Sequence, residues 1–392
     1  MIRHHYLIIG GGMTADAAVR GIRHSDQTGT IGIISGEAHL PYKRPPLSKG
    51  LWKGDPLESV WLSNAKDHAT MYLSRTATGI DANAKQVIDD HQDIYSYERL
   101  LVATGGRVRT LPFNAPGIIY FRTVDDYTRL KELTEKGRSC VVIGGGFIGS
   151  EVAAALAMNG RDVTMLFPED GIGARVYPPA LSAFLNGYYA SKGVHVRTKV
   201  EVTDVRHNGG QYLVKTSTGE ELRADAVIAG IGIQPNVEIA QTAGIDVGNG
   251  INVNEYLQTS RPDIYAAGDV ANFFHSALNS RVRVEHEDNA TAMGECAGRN
   301  MAGEQTPYHH FPFFYSDLFE LGYEAVGELD SRLEIVEEWK EPFREGVVYY
   351  LSKQRVRGVL LWNTWSQVDN ARGLIAAKGP FDAKSVTGRL PA

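Results

Sequence analysis

Short apolar runs that stop at glycine recur along this chain, and a helical spacing of small residues follows each. Tyr6-Leu-Ile-Ile9 reads as a buried strand; it ends at Gly10, and Ala17, Ala18 and Ile22 then fall at helical intervals. The pattern returns at Val141–Ile143, which ends at Gly144 ahead of a small-residue helical stretch from Val152 to Met158. Strand, tight turn and helix are therefore predicted twice. Other apolar runs predict strands at Thr30–Ile34, between Ala77 and Val87, from Arg99 to Ala103, at Asp162–Phe167 and within Asp263–Asp269. Helical spacing predicts helices at Val124–Leu133, Ala180–Ser191, Ala290–Ala302 and Ser366–Leu374. Val194–Val205, Tyr212–Thr216 and Ala226–Ile231 predict a β-meander turning at Asn208-Gly209 and Thr218-Gly219. From about Tyr308 the chain predicts a small α+β segment, with strands at Val347–Leu351 and Val356–Trp362 and with Phe311, Phe313, Phe314 and Tyr315 mostly in its core, one or two of them able to face a cofactor. Trp52 and Trp61 are expected to be packing residues.

Both strand–helix turns carry a specific spacing. Gly10, Gly12 and Ala15 form G-x-G-x-x-A; Gly144, Gly146 and Gly149 form G-x-G-x-x-G. Such glycines let the backbone turn sharply and approach a pyrophosphate, whose charge a helix N-terminus favours. One such motif is weak evidence; two in this context point to two dinucleotide-binding units. Glu37 follows the second strand of the first unit, where a carboxylate accepts from an adenosine ribose; a solvated loop glutamate is the bland alternative. Glu169 and Asp170 stand at the matching place in the second unit and favour a 2′-hydroxyl over a 2′-phosphate, with Arg175 nearby as a counterweight. Glu151 sits two residues past the last glycine. It suits either a helix dipole or a lysine beside a redox cofactor. The prolines of Leu40-Pro-Tyr-Lys-Arg-Pro-Pro-Leu-Ser-Lys49 stiffen a loop that holds Arg44 and Lys49, and Ser48 is placed to cap a following turn. Ala103-Thr104-Gly105 closes another strand, the Asp269 carboxylate can accept from a polyol, and His286 is either a packing or a functional histidine.

Length and charge narrow the class. A chain of 392 residues with 43% hydrophobic content supports two or three cored domains. A net charge of −6 gives no reason to expect nucleic-acid binding. The two cysteines, Cys140 and Cys296, form no C-x-x-C, so a redox disulfide close in sequence is excluded. No apolar run approaches the roughly 18 residues of a membrane span, so an integral membrane protein is not expected. The first strand begins by about Tyr6, which leaves no room for a targeting segment and predicts a soluble, cytoplasmic protein.

The order G-x-G-x-x-A, L-P-Y-x-R-P-P-L-S-K, A-T-G-G, G-G-G-F-I-G-S-E, A-G-D-V and V-E-H resembles the flavoprotein reductases with two dinucleotide folds. Within them the chain is most similar to apoptosis-inducing factor and the ferredoxin reductases of oxygenase systems. Leu166-Phe-Pro-Glu-Asp-Gly171, Gly322-Tyr-Glu-Ala325 and Leu361-Trp-Asn363 lean toward the first. The resemblance implies an α/β fold with two Rossmann-like dinucleotide-binding domains, glutathione-reductase-like, and a small α+β C-terminal domain. Residues 1–109 and 237–310 would form a discontinuous FAD-binding domain, 110–236 an NAD-binding domain and 311–392 the C-terminal domain. It implies FAD against Gly10, Gly11, Gly12, Met13, Thr14, Glu37, Arg44, Lys49, Ala77, Thr104, Gly105, Arg122, Asp269, His286 and Tyr315. It implies NAD(H) against Gly145, Gly146, Phe147, Ile148, Glu169, Arg175, Gly232, Glu285, Glu324 and Asn363. Catalytic roles fall on Lys49, Glu151, Phe147 and His286, with Phe147 covering the flavin face and Lys49 paired to Glu151 beside flavin N5.

Three departures stand out. Gly36 replaces a common glutamate, Tyr315 replaces a common tryptophan, and the C-terminal segment lacks room for the long insertion of animal apoptosis-inducing factors. The expected activity is hydride transfer from NADH to FAD, then electron delivery to a ferredoxin-type iron–sulfur protein. A local basic patch from Arg281, Arg283, Arg344 or Arg355 would receive such a partner. A quinone or oxygen is a second acceptor, and a redox-gated binding protein, monomeric or an NADH-dependent homodimer, is the non-enzymatic alternative.

Overall fold

The computed structural model describes residues 1–113 and 116–391. It divides into two compact units: 1–43, 58–107 and 234–313 form the first, and 44–57, 108–233 and 314–392 the second.

The first unit is built on a five-stranded parallel sheet. Its order runs Ile264–Ala266, Arg99–Val102, Tyr6–Ile9, Ile31–Ser35 and Thr70–Leu73. All four residues of Tyr6–Ile9 and all five of Ile31–Ser35 are buried, as strands covered on both faces require. Helix Met13–Ser25 follows the first strand and packs on helix Glu287–Met301. Glycine permits this closeness. A β-carbon on Gly21 would lie 2.1 Å from the Glu295 carbonyl oxygen, and one on Gly298 would lie 2.1 Å from that of Ala18. A second sheet of this unit contains the antiparallel strands Ala77–Asp81, Gln86–Asp89 and Ile94–Ser96.

The second unit has a four-stranded parallel sheet in the order Val194–Thr198, Asp162–Phe167, Ser139–Ile143, Ala226–Ala229. This corrects the expected meander. Val194–Thr198 and Ala226–Ala229 belong to the parallel sheet, and the meander consists of Val202–Asn208, Gln211–Thr216 and Glu221–Ala224. Hydrophobic spacing identifies strands but does not say which sheet receives them. From residue 314 on, the unit carries a five-stranded sheet in the order Phe313–Leu318, Leu321–Gly327, Arg355–Trp362, Glu345–Ser352, Glu334–Glu341, with helix Val368–Ala376 beside it. Its core is Tyr323, Tyr349, Tyr350 and Trp362, all fully buried. Phe313 and Phe314 are half-buried and Tyr315 is exposed, so these aromatics are not the core they were expected to be. Trp52 is buried edge-on to Tyr127, whereas Trp61 is exposed against Tyr42.

Candidate functional site

Each unit places its glycine loop at the end of its central strand. In the first, Gly10 has φ +110°, and a β-carbon there would lie 2.1 Å from the Ala103 carbonyl oxygen, so no other residue fits. A β-carbon on Gly11 would meet Ser35 Oγ at 2.4 Å. Gly12 differs, with nothing within 4 Å of an added β-carbon. It is the residue from which helix Met13–Ser25 starts, without a side-chain cap. Thr14 is buried in that first turn, and Gly268 closes on its Oγ1, which brings the Gly268–Val270 turn and Asp269 to this end of the sheet.

Other predicted residues of this unit have internal duties. The Glu37 carboxylate accepts from Tyr42 Oη at 2.5 Å. Thr104 Oγ1 donates to the Asn236 carbonyl, and Asn236 Nδ2 donates back to that of Thr104, both at 2.8 Å. Gly105 completes this clasp with φ +61°. Ala77 opens its strand. Arg283 donates to the Asp269 carbonyl at 3.1 Å and pairs with Glu285 at 2.5 Å. Arg281 is likewise engaged, at the carbonyls of Val253 and Asn272. These two arginines tie segments within the unit. His286 stands at the N-cap position of helix Glu287–Met301 without a side-chain cap bond, and burial pushes its imidazole down to about 4, with Asp269 and Asp288 opposing that shift.

The second glycine loop repeats the geometry. Gly144 has φ +112°, with Gly230 O 2.4 Å from an added β-carbon, and a β-carbon on Gly149 would fall 2.0 Å from Gly144 O. Gly145 lies against the Phe167 ring. Gly146 again faces open space and precedes an uncapped helix, Phe147–Met158. That helix starts earlier than the sequence pattern suggested, because Gly149 of the loop lies in its first turn. Glu151 is consequently its fifth residue and lies past the first turn, which removes the helix-dipole reading.

Glu151 has a different set of partners. Its carboxylate is 4% exposed and stands 2.7 Å from Lys49 Nζ, itself 11% exposed. Ser48 Oγ donates to the same oxygen, Oε2, and Ser316 Oγ donates to Oε1, both at 2.6 Å. Ser48 thus serves Glu151 rather than a following turn. Sequence reasoning missed Ser316, although Tyr315 beside it was singled out. Lys49 joins two 3-10 turns, Pro45–Ser48 and Gly50–Trp52, at φ −129° and ψ −96°. Its ammonium lies 5.3 Å from the centre of the Tyr315 ring. Phe147 meets Phe314 edge-on at 5.3 Å, and Ile148 is exposed. Arg44 Nη1 donates to the Arg122 carbonyl at 2.9 Å, anchoring the proline-rich loop.

Glu169 and Arg175 pair with each other, and Asp170 pairs with Lys199 at 3.0 Å. Gly232 has φ +93°. Asn363, at φ +48°, exchanges two hydrogen bonds of 2.8 Å with Gly322. Glu324 accepts from the Ser366 N–H, and burial raises its carboxyl. Arg344 lies over the rings of Phe184 and Tyr188. Both thiols are pushed up by burial, Cys140 to about 12 and Cys296 to about 11, which makes them poor nucleophiles at neutral pH. Among the described residues, no helix is long and apolar enough to cross a membrane.

The two loops fit two dinucleotides. In each, the first glycine, Gly10 or Gly144, is locked by neighbouring backbone, while Gly12 or Gly146 leaves an open notch before an uncapped helix. Known proteins agree. The pyridine nucleotide-disulphide oxidoreductase family matches residues 4–294, and the C-terminal part of mitochondrion-associated apoptosis-inducing factor matches 297–342 and 336–377. The chain is 36% identical to apoptosis-inducing factor 1, mitochondrial, of Dictyostelium discoideum, covering 94% of this chain and 78% of that protein. It is 33% identical to putidaredoxin reductase of Pseudomonas putida, covering 96% and 92%. A ferredoxin reductase structure from Rhodopseudomonas palustris superposes with TM-score 0.87 at 29% identity, covering 98% of this chain and all of that one. The covalent putidaredoxin reductase–putidaredoxin complex superposes with TM-score 0.90 at 32% identity, covering 98% and 96%. With two such loops and a matching family model across most of its length, this chain belongs to the pyridine nucleotide-disulphide oxidoreductase family, and it is an NAD(P)H-dependent flavoprotein whose cofactors are FAD and NAD(H).

Proposed function

We propose that the chain oxidises NADH and passes the electrons one at a time to a small iron–sulfur protein. The observation that carries this reading is the buried Lys49–Glu151 pair, held by Ser48 and Ser316. FAD, when bound, supplies hydride acceptance and one-electron release. Lys49 is the cation that favours negative charge on the reduced ring, and Glu151 fixes its position. Phe147 guards the ring face. Gly10, Gly11, Gly12, Met13 and Thr14 take the FAD pyrophosphate, with Glu37 at the ribose and Asp269 at the polyol. Gly145, Gly146 and Ile148 take the NADH pyrophosphate, with Glu169 at its ribose and Glu324 and Asn363 toward its carboxamide end. His286, neutral at physiological pH, places no charge there. Residues 1–109 with 237–310, 110–236 and 311–392 are the corresponding FAD, NAD and C-terminal domains. The likeness to putidaredoxin reductase and to its putidaredoxin complex supports the iron–sulfur acceptor. We place the protein in the cytoplasm.

A second reading rests on the match to the C-terminal part of apoptosis-inducing factor. There the reduced protein is a slow oxidase or quinone reductase, and NADH gates dimerisation and partner binding. Anaerobic NADH titration, followed by a ferredoxin, a quinone and oxygen as acceptors, separates the two. Fast reduction of the ferredoxin supports the first. Slow turnover with every acceptor, together with NADH-dependent dimerisation, overturns it in favour of the second.

A further inference from the structure

Glu151 is closely held: two hydroxyls and one ammonium share its two oxygens at 2.6 to 2.7 Å, in a site almost closed to water. A lysine partner alone would satisfy only part of such a carboxylate. The two serines reach it from distant places. Ser48 precedes Lys49 directly, while Ser316 is 165 positions from Glu151 in sequence and lies on strand Phe313–Leu318. The residue next to Ser316, Tyr315, has its ring centre 5.3 Å from the Lys49 ammonium. The lysine thus meets both a hydroxyl-loaded carboxylate and an aromatic ring.

We infer that Ser48 and Ser316 are positioning residues that tune how much of the Lys49 charge remains available to its surroundings. Each hydroxyl points the positive end of its dipole at Glu151 and offsets part of the carboxylate's negative potential. Away from water that offset is strong. Without it, Glu151 neutralises Lys49 more completely, and any acceptor of electrons beside Lys49 becomes harder to reduce. This rests on the reading that Lys49 neighbours the flavin ring.

The test uses the FAD-loaded protein and measures the flavin midpoint potential, the rate of flavin reduction by NADH and the urea unfolding midpoint. Ser316→Ala and Ser48→Ala are expected to lower the potential and to slow reduction about tenfold each. Ser316→Thr, which keeps a hydroxyl, is expected to restore both. A purely structural serine would lower the unfolding midpoint and leave the potential unmoved, and that result overturns the inference. Lys49→Met separates this failure from that of the underlying reading. If it leaves the potential unchanged, Lys49 does not neighbour the flavin and both fall. If it lowers the potential while the serine variants do not, the serine assignment alone falls.

Discussion

Glu169 and Arg175 stand 2.6 Å apart just beyond strand Asp162–Phe167, with Glu169 mostly covered and Arg175 82% exposed. The carboxylate is therefore paired with a cation that is itself largely open to solvent. Glu169→Ser would remove the group that repels a 2′-phosphate and release Arg175 to bind one. The expected outcome is a shift of the kcat/KM ratio toward NADPH by about tenfold, equal to ~1.4 kcal/mol, in steady-state assays with both nucleotides. An unchanged ratio would take Glu169 and Arg175 out of nucleotide selection.

The Lys49–Glu151 pair makes a sharper demand. Removing either partner leaves a charge buried without compensation, at a cost of about 3–5 kcal/mol in denaturant unfolding. Lys49→Ala and Glu151→Ala should also slow flavin reduction more than they weaken FAD binding. Stopped-flow bleaching at the wild-type rate in both variants would remove the pair from the mechanism.

The glycines of the second loop differ in kind. Gly149→Ala puts a methyl group 2.0 Å from Gly144 O, so the loop must shift, and a loss of roughly 1–3 kcal/mol in stability is expected. Gly146→Ala meets nothing within 4 Å, and the fold should tolerate it within about 1 kcal/mol. Its effect should fall on the nucleotide, as a raised KM for NADH at nearly unchanged Tm. If the two variants behave alike in thermal melts and NADH kinetics, this division is wrong.

His286 should leave a mark on acid stability. Its folded value of about 4 lies below the ordinary 6.5, so the fold favours the neutral imidazole. Its contribution is complete above pH 6.5 and is lost as pH falls from 6.5 to 4, an effect of roughly 2–3 kcal/mol. Urea unfolding at pH 7 and pH 4.5 should show a smaller difference in His286→Gln than in wild type. Equal differences would show that the histidine does not report burial.

Much of the architecture was readable because it is local. A strand–glycine–helix unit is specified within about twenty consecutive residues, and Gly10, Gly12, Gly144, Gly146 and Gly149 occupy the positions that their spacing predicts. Contacts between remote residues were not legible. Thr104 clasps Asn236, Arg283 reaches the Asp269 backbone, and Trp61 lies exposed. None of these follows from neighbours in the chain.

The sequence by itself determined that two dinucleotide loops exist, where each begins and which side chains could carry charge beside them, since backbone sterics and hydrophobic spacing act over a few residues. Only the tertiary structure decided that Val194–Thr198 joins the parallel sheet rather than the meander, and that Ser316 crosses 165 positions to complete the shell around Glu151. Hydrogen bonds between remote segments depend on how sheets and helices pack, and Ser316 carries no local trace of the carboxylate it will meet.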